Sequence, residues 1–309
     1  MVNLDQHITK KLYPFDGSFI SLAHKAKMHY LDEGDAASPV ILALHGNPTW
    51  SFYYRNLAGQ LRNDYRVVVP DHIGCGLSDK PDDEHYSYQL EQRVRDVEEL
   101  VARLGLKDIT LVAHDWGGMI GLSFACRNPS LIKRIILMNT SGFPLPDSKP
   151  FPLALHLSRT PVLGDVLIRG FNAFAVSASW IGCKFKRMPQ DLRRAYRAPY
   201  KNWADRRAVH RFVQDIPLSE KDPSWATVSF TNRHLESLSD KPMLIIWGEK
   251  DFIFDKHFLG EWRRRMPKAE IHSYPNGGHY ILEDLGGEAI DLMKDFLGRH
   301  PIEGERVLH

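Results

Sequence analysis

The sequence predicts an α/β protein built on a doubly wound, mostly parallel sheet, with a helical segment inserted between two of its strands. Three observations carry that expectation. Short β-branched runs recur at Val40–Leu44, Arg66–Pro70, Ile109–Val112, Arg134–Met138, Met243–Trp247 and Ile271–Tyr274. Helical patterns lie between them. The alternation stops between about Pro144 and Asp240 and then resumes.

The strand runs are bounded by Gly, Pro, Asn or Asp, and several, such as Val40–Leu44, are apolar throughout. That pattern belongs to strands covered on both faces. Between them, Leu90–Leu104 places Leu90, Val94, Val97, Leu100, Val101 and Leu104 on one face and stops at Gly105. Trp116–Arg127 reads as a second helix, ended before Pro129. The stretch from 144 to 240 has frequent prolines, helical pieces at Pro189–Tyr200 and Ala204–Val213, and no convincing strand. It is expected to form a cap over the C-terminal edge of the sheet, where open α/β sheets bind ligands. The chain thus divides into a core (1–143), a helical cap (144–240) and the rest of the core (241–309).

Composition narrows the function. The chain has 309 residues, of which 43% are hydrophobic and 25% charged, with a formal charge of +2. This suits a globular domain, and the charge by itself points to no nucleic-acid or anionic-membrane partner. The 15 histidines are expected mostly at the surface. Cys75, Cys126 and Cys183 are odd in number and lack metal-site spacing, so they read as reduced thiols of a cytoplasmic protein, with no metal or cofactor called for. Met1–Lys11 is polar, unlike a signal peptide. No apolar run reaches the roughly 18 residues of a membrane span.

Four segments at strand ends carry chemistry. Ala113-His114-Asp115-Trp116-Gly117 joins a strand to a helix, with small residues two before and two after Asp115. They suit a tight elbow that exposes a nucleophile, a place usually held by serine. A carboxylate there attacks carbon and forms an ester with the enzyme, although Asp115 also fits a plain helix N-cap. Leu44-His45-Gly46-Asn47-Pro48 follows the first of these strand runs, where a loop normally supplies one oxyanion-hole N–H, the other coming from Trp116. Asn47 and Trp116 also carry side-chain N–H groups for a leaving anion, and equally suit a turn and a core position. Gly277-Gly278-His279 follows the last strand run and supplies a base near the C-terminus. In Trp247-Gly248-Glu249-Lys250-Asp251, Asp251 is favoured over Glu249 as the acid that orients the imidazole, since it has the better reach.

Together HGNPTW, DHIGCGLSDKP, AHDWGGMIG, WGEKDFIF and NGGHYILED resemble the haloalkane dehalogenase family of the α/β-hydrolase fold, from about residue 15 to 297. The resemblance implies Asp115 as nucleophile, His279 as base, Asp251 as acid, and Asn47 and Trp116 as the halide donors. Within the family the chain is most similar to the third subfamily, which includes the β-lactone decarboxylases of bacterial long-chain olefin biosynthesis. The cap segment Ala198–Leu218 and the stretch Asp71–Asp83 carry that likeness. A small hydrophobic substrate is implied, a cis-β-lactone giving alkene and carbon dioxide or, as the alternative, a haloalkane giving alcohol and halide. Self-association is implied too, and for olefin producers assembly with the lactone-forming synthetase.

Of three rival readings, the fluoroacetate one fails, the scaffold is disfavoured and the epoxide one stays open. An epoxide hydrolase shares the HDWGG elbow and needs cap tyrosines, for which Tyr196 and Tyr200 stand one helical turn apart. A fluoroacetate dehalogenase needs paired arginines in Asp71–Ser78, which has none. A non-catalytic scaffold of the same fold usually lacks one of the reactive residues, and here all are present.

Overall fold

The computed structural model describes residues 10–302. Its eight strands are β1 (Ser18–Ser21), β2 (Lys27–Glu33), β3 (Val40–Leu44), β4 (Arg66–Pro70), β5 (Ile109–Asp115), β6 (Ile132–Thr140), β7 (Met243–Gly248) and β8 (Glu270–Tyr274). They form one sheet in the order β1-β2-β4-β3-β5-β6-β7-β8. β3 to β8 run parallel, while β1 and β2 pair antiparallel at one edge.

β3 is apolar along its whole length because both of its faces are covered. Leu42 and Leu44 join the core beneath the helices Leu90–Leu104 and Trp116–Arg127. Ile41 and Ala43 point the other way, into a core shared with Arg55–Leu61 and the C-terminal helix Gly287–Arg299. Leu90–Leu104 has the expected bounds and ends at Gly105, whose φ of 62° is the left-handed stop a glycine provides. Its first turn is anchored by the cap: Asp215 and Ser224 side chains accept the Leu90 N–H at 2.8 and 3.1 Å.

The chain runs from β3 outward to β4 and then returns to β5 on β3's other side. This reversal opens a crevice at the C-terminal ends of β3 and β5, the place where open α/β sheets bind ligands. Over that edge, between β6 and β7, the described residues contain helices and loops and no strand. Leu153–Arg159, Pro161–Gly164, Ala173–Ile181, Gln190–Arg197 and Arg207–Gln214 form the cover. Trp225–His234 instead packs on the core helix Trp116–Arg127, where Thr231 meets the Ser123 hydroxyl at 2.7 Å.

Two expectations need correction. The hairpin β1–β2 was not anticipated, since β1 is short and largely exposed and β2 carries Lys27, His29, Asp32 and Glu33. Those polar groups are satisfied by partners distant in sequence: His29 Nδ1 by Asp71 at 2.8 Å, and Asp32 by Arg66 at 2.7 Å. Hydropathy alternation cannot register such pairs. For the histidines the expectation holds at only seven of the thirteen described residues, since His29, His45, His72, His114, His210 and His279 are buried.

The start of Trp116–Arg127 is pressed against the end of β3. A Cβ on Gly117 would stand 1.9 Å from the Leu44 carbonyl oxygen, a backbone atom that cannot rotate away. Gly117→Ala is therefore expected to destabilise the fold by roughly 1–3 kcal/mol, read as a lower urea midpoint at unchanged slope.

Candidate active site

Asp115 is the last residue of β5 and adopts φ 52° and ψ −127°, a conformation strained for any residue with a side chain. β5 reaches this residue, three beyond its expected end at Val112, because its ladder with β6 continues through a register shift to the pair Asp115–Thr140. Thr140 Oγ1 donates to the Asp115 carbonyl at 2.5 Å and fixes the turn. Gly46 lets the next loop approach, since a Cβ there would lie 2.1 Å from Asp115 Oδ1. With that room, the Asn47 backbone N–H donates to Oδ1 at 2.6 Å, and the Trp116 backbone N–H also bonds the carboxylate.

The other carboxylate oxygen, Oδ2, faces His279 Nε2 at 3.8 Å. His279 Nδ1 lies 2.7 Å from Asp251 Oδ2. Glu249, two residues earlier, is half-buried, and its backbone N–H donates to Tyr274. The carboxylate facing the imidazole is thus that of Asp251. Asn139, a residue sequence reasoning missed, explains why. Its Nδ2 donates to Asp251 Oδ2 at 3.0 Å and to the Gly248 carbonyl at 2.9 Å, while its Oδ1 accepts the Gly248 N–H at 2.8 Å. The Ile253 N–H holds Asp251 Oδ1 at 2.7 Å. The available signal was an asparagine closing a buried strand, here at φ 33°.

Burial drives the electrostatics. It lifts the Asp115 carboxyl to about 6, against the opposing pull of His279 and the Trp116 and Asn47 N–H groups. Burial alone would lower His279, but the charge and hydrogen bond of Asp251, with Asp115 adding to them, raise it. Burial holds His114, His45 and His72 below the usual histidine range. His114 Nε2 meets the His279 carbonyl oxygen at 2.8 Å and its ring stacks on Tyr53, so it props the histidine loop. Among these buried imidazoles only His279 is tuned to carry a proton.

Asp115, Asn47 and Trp116 line a cavity of about 750 Å³, its mouth included, between core and cap. Its walls are apolar, with Phe151, Leu155, Phe174, Ile216, Ile253 and Phe258 prominent. The charged side chains on it are Asp115 and Lys149, and Lys149 is paired with Asp255 at 2.6 Å. His279 lies behind Asp115 and is not part of the lining. The Phe254 ring, parallel to the imidazole at 6.1 Å, is part of it. Asn47 Nδ2 gives one N–H to the Val209 carbonyl of the cap at 3.1 Å, leaving the second for a ligand. Tyr196 and Tyr200 do not face the cavity. The Tyr196 hydroxyl donates to Glu283 at 2.5 Å and that of Tyr200 to the Thr49 carbonyl at 3.2 Å. The epoxide reading loses its proton donors. Among the described residues no cluster of His, Cys, Asp or Glu could hold a metal ion.

A parallel sheet that ends in a strained elbow, under a helical cover, defines the α/β-hydrolase class of enzymes. The chain belongs to that family, whose model, described as the alpha/beta hydrolase fold, matches residues 39–284. It is 50% identical over 287 residues to the cis-3-alkyl-4-alkyloxetan-2-one decarboxylase of Shewanella oneidensis, covering 93% of this chain and 89% of that one. Haloalkane dehalogenase 2 of Mycobacterium bovis is a further relative, 32% identical over 276 residues, covering 89% of this chain and 92% of its own. Among solved structures, the haloalkane dehalogenase DatA of Agrobacterium tumefaciens C58 superposes with a TM-score of 0.80 at 25% identity, covering 93% of this chain and 98% of that one.

Two outcomes test this geometry. Asp251→Asn should lower turnover by orders of magnitude, on the order of 10⁴ where His279 acts as a base, while Glu249→Gln stays close to wild type. The opposite ranking in kcat would move the role to Glu249. Were Asp115 to attack as a carboxylate, activity should rise with pH through about 6, the value to which burial lifts it. A profile of kcat/KM flat across that value would exclude Asp115 as the titrating group.

Proposed function

We propose that this enzyme is a cis-β-lactone decarboxylase, converting a cis-3-alkyl-4-alkyloxetan-2-one into a cis-alkene and carbon dioxide through an ester on Asp115. The observation that carries the reading is the largely apolar cavity that Asp115 lines while His279 stays behind it, outside the lining. Such a site suits a reaction that consumes no water. The 50% identity to a decarboxylase of this substrate class supports it.

Asp115 Oδ2 attacks ring carbon C4 from the side opposite the ring oxygen. The C4–O bond breaks, its electron pair stays on oxygen, and the ring opens to a free carboxylate with an alkyl ester on Asp115. Relief of ring strain assists, and the Asn47 and Trp116 N–H groups that face the cavity are the donors for the new carboxylate. The bond from C3 to that carboxylate then breaks. Carbon dioxide leaves, the electron pair forms the C3–C4 double bond, and Asp115 departs with the pair of its ester bond. The protonated His279, held by Asp251, stabilises the returning carboxylate. Backside attack inverts C4 and sets the two leaving groups antiperiplanar, so a cis-lactone yields a cis-alkene.

A second reading rests on one further observation: Asn47 and Trp116 both line the cavity and suit a departing halide. In that case Asp115 displaces halide from an alkyl carbon, and His279 activates water against the ester. The resemblance to the third subfamily also supports self-association, assembly with a lactone-forming synthetase and, with the three cysteines unpaired, a cytoplasmic setting.

A side-by-side assay of a cis-β-lactone and a bromoalkane separates the readings. Asp115→Ala should abolish both turnovers in a folded protein, and wild type should favour the lactone. Asn47→Ala should cost bromoalkane hydrolysis on the order of 10²–10³ and lactone turnover far less, since the new carboxylate can use other donors. A wild-type preference for the bromoalkane, with equal losses in Asn47→Ala, would overturn the decarboxylase reading.

A further inference from the structure

The charge of +2 for the whole chain conceals an asymmetry. Between Trp180 and Arg211 stand ten Lys and Arg residues against two acids, Asp191 and Asp205. Some of that charge is used internally: Arg207 and Arg211 pair with Asp83, and Arg206 donates to the carbonyls of Arg169, Gly170, Tyr200 and Lys201. Lys184, Lys186, Arg187, Arg193, Arg194 and Arg197 differ. Among the described residues none of them forms an ion pair with a carboxylate. Arg187 and Arg193 lie over the exposed Trp180 ring at 4.0 and 3.7 Å. Arg197 is lowered by burial and then by the neighbouring charges of Arg193 and Arg194, a sign of how closely the cations crowd.

Beside this cluster the cap turns large apolar side chains outward. Val162 is 79% exposed, Phe171 74% and Leu153 71%, with Val166 and Phe185 also open. The segments Pro161–Gly170 and Ala173–Ile181 form an apolar pair bent by 64° at its junction. Ala173–Ile181 packs against both Asp165–Gly170 and Gln190–Arg197, so the apolar segments and the cationic one are neighbours in the cap. Ala173–Ile181 also presents Phe174 to the cavity beneath, as Leu153–Arg159 presents Leu155. A contiguous apolar patch rimmed by charge marks a contact surface. Uncompensated lysines and arginines beside exposed Trp and aliphatic residues match the chemistry of a bilayer interface.

We propose that this face of the cap docks reversibly on an anionic lipid surface, Val162 and Phe171 entering the headgroup–acyl boundary and the unpaired cations lying over lipid phosphates. No single helix among the described residues is long and apolar enough to cross a membrane, and the contact proposed is a peripheral one. It stands whichever reaction the cavity below performs.

Flotation of the full-length chain with vesicles tests it. At low ionic strength the protein should float with vesicles of phosphatidylglycerol and phosphatidylethanolamine, not with pure phosphatidylcholine. Roughly fivefold per cation removed, Lys186→Gln/Arg194→Gln should weaken partitioning by about 25-fold. Val162→Asp/Phe171→Asp should abolish flotation with an unchanged melting temperature, since both side chains are exposed. Failure to float with anionic vesicles, or equal binding to both compositions, overturns the proposal. So does a self-association in sedimentation velocity that Val162→Asp/Phe171→Asp disperses without any flotation, which would assign the face to a second copy of the chain.

Discussion

A carboxylate held away from water at the end of β5, on a backbone at φ 52°, is the constraint around which the rest of the site is arranged. Removing a charged group from water is costly, and the cost is offset here by fixed donors and a facing imidazole rather than by solvent. The strained turn survives because it is determined from several sides. β5 is hydrogen-bonded to β3 and β6, Thr140 binds the Asp115 carbonyl, and the helix that follows is seated against Leu44. Strain of this kind persists only where the surrounding structure over-determines it.

The neighbours of Asp115 divide the work by burial and partner. Burial lowers His45, His72 and His114, which serve as hydrogen-bonding spacers, whereas Asp251 raises His279. Asn139 reaches from the end of β6 to the end of β7, so the acid is aimed by the sheet itself. A site supported on strand ends holds tighter geometry than one carried by loops alone. The cap is tied into the same unit: Asn47 donates to Val209, Trp50 to Ala195, and Tyr200 to Thr49. All three bonds involve the loop after β3, so movement of the cap would shift the donors beside Asp115.

That coupling bears on substrate handling. The roof of the cavity is built from helices that are apolar on both sides, inward toward Asp115 and outward toward the surface. On the reading proposed above, a substrate with long alkyl chains has little solubility in water, and a roof docked on a lipid surface would shorten its path to the elbow. Reaction and delivery would then draw on the same few helices.

Local pattern was enough for the parallel strands from β3 onward and for the helices Leu90–Leu104 and Trp116–Arg127, because both faces of the sheet are covered and each helix ends at a readable stop. Turn chemistry was enough to mark Asp115, His279, Asn47, Trp116 and the neighbouring Glu249 and Asp251 as candidates, since each sits in a Gly- or Pro-marked segment at a strand end. Tertiary structure alone decided the rest. Asp251 and Glu249 stand two residues apart in one loop, and which of them meets His279 depends on Asn139, more than a hundred residues earlier in the chain. Tyr196 and Tyr200 keep helical spacing, yet their hydroxyls are drawn off by Glu283 and Thr49. The polar strand β2 and the buried histidines depend likewise on partners such as Asp71 and Arg66. Periodicity reports which face of an element avoids water, whereas a buried polar group is placed by the one distant group that completes its hydrogen bond.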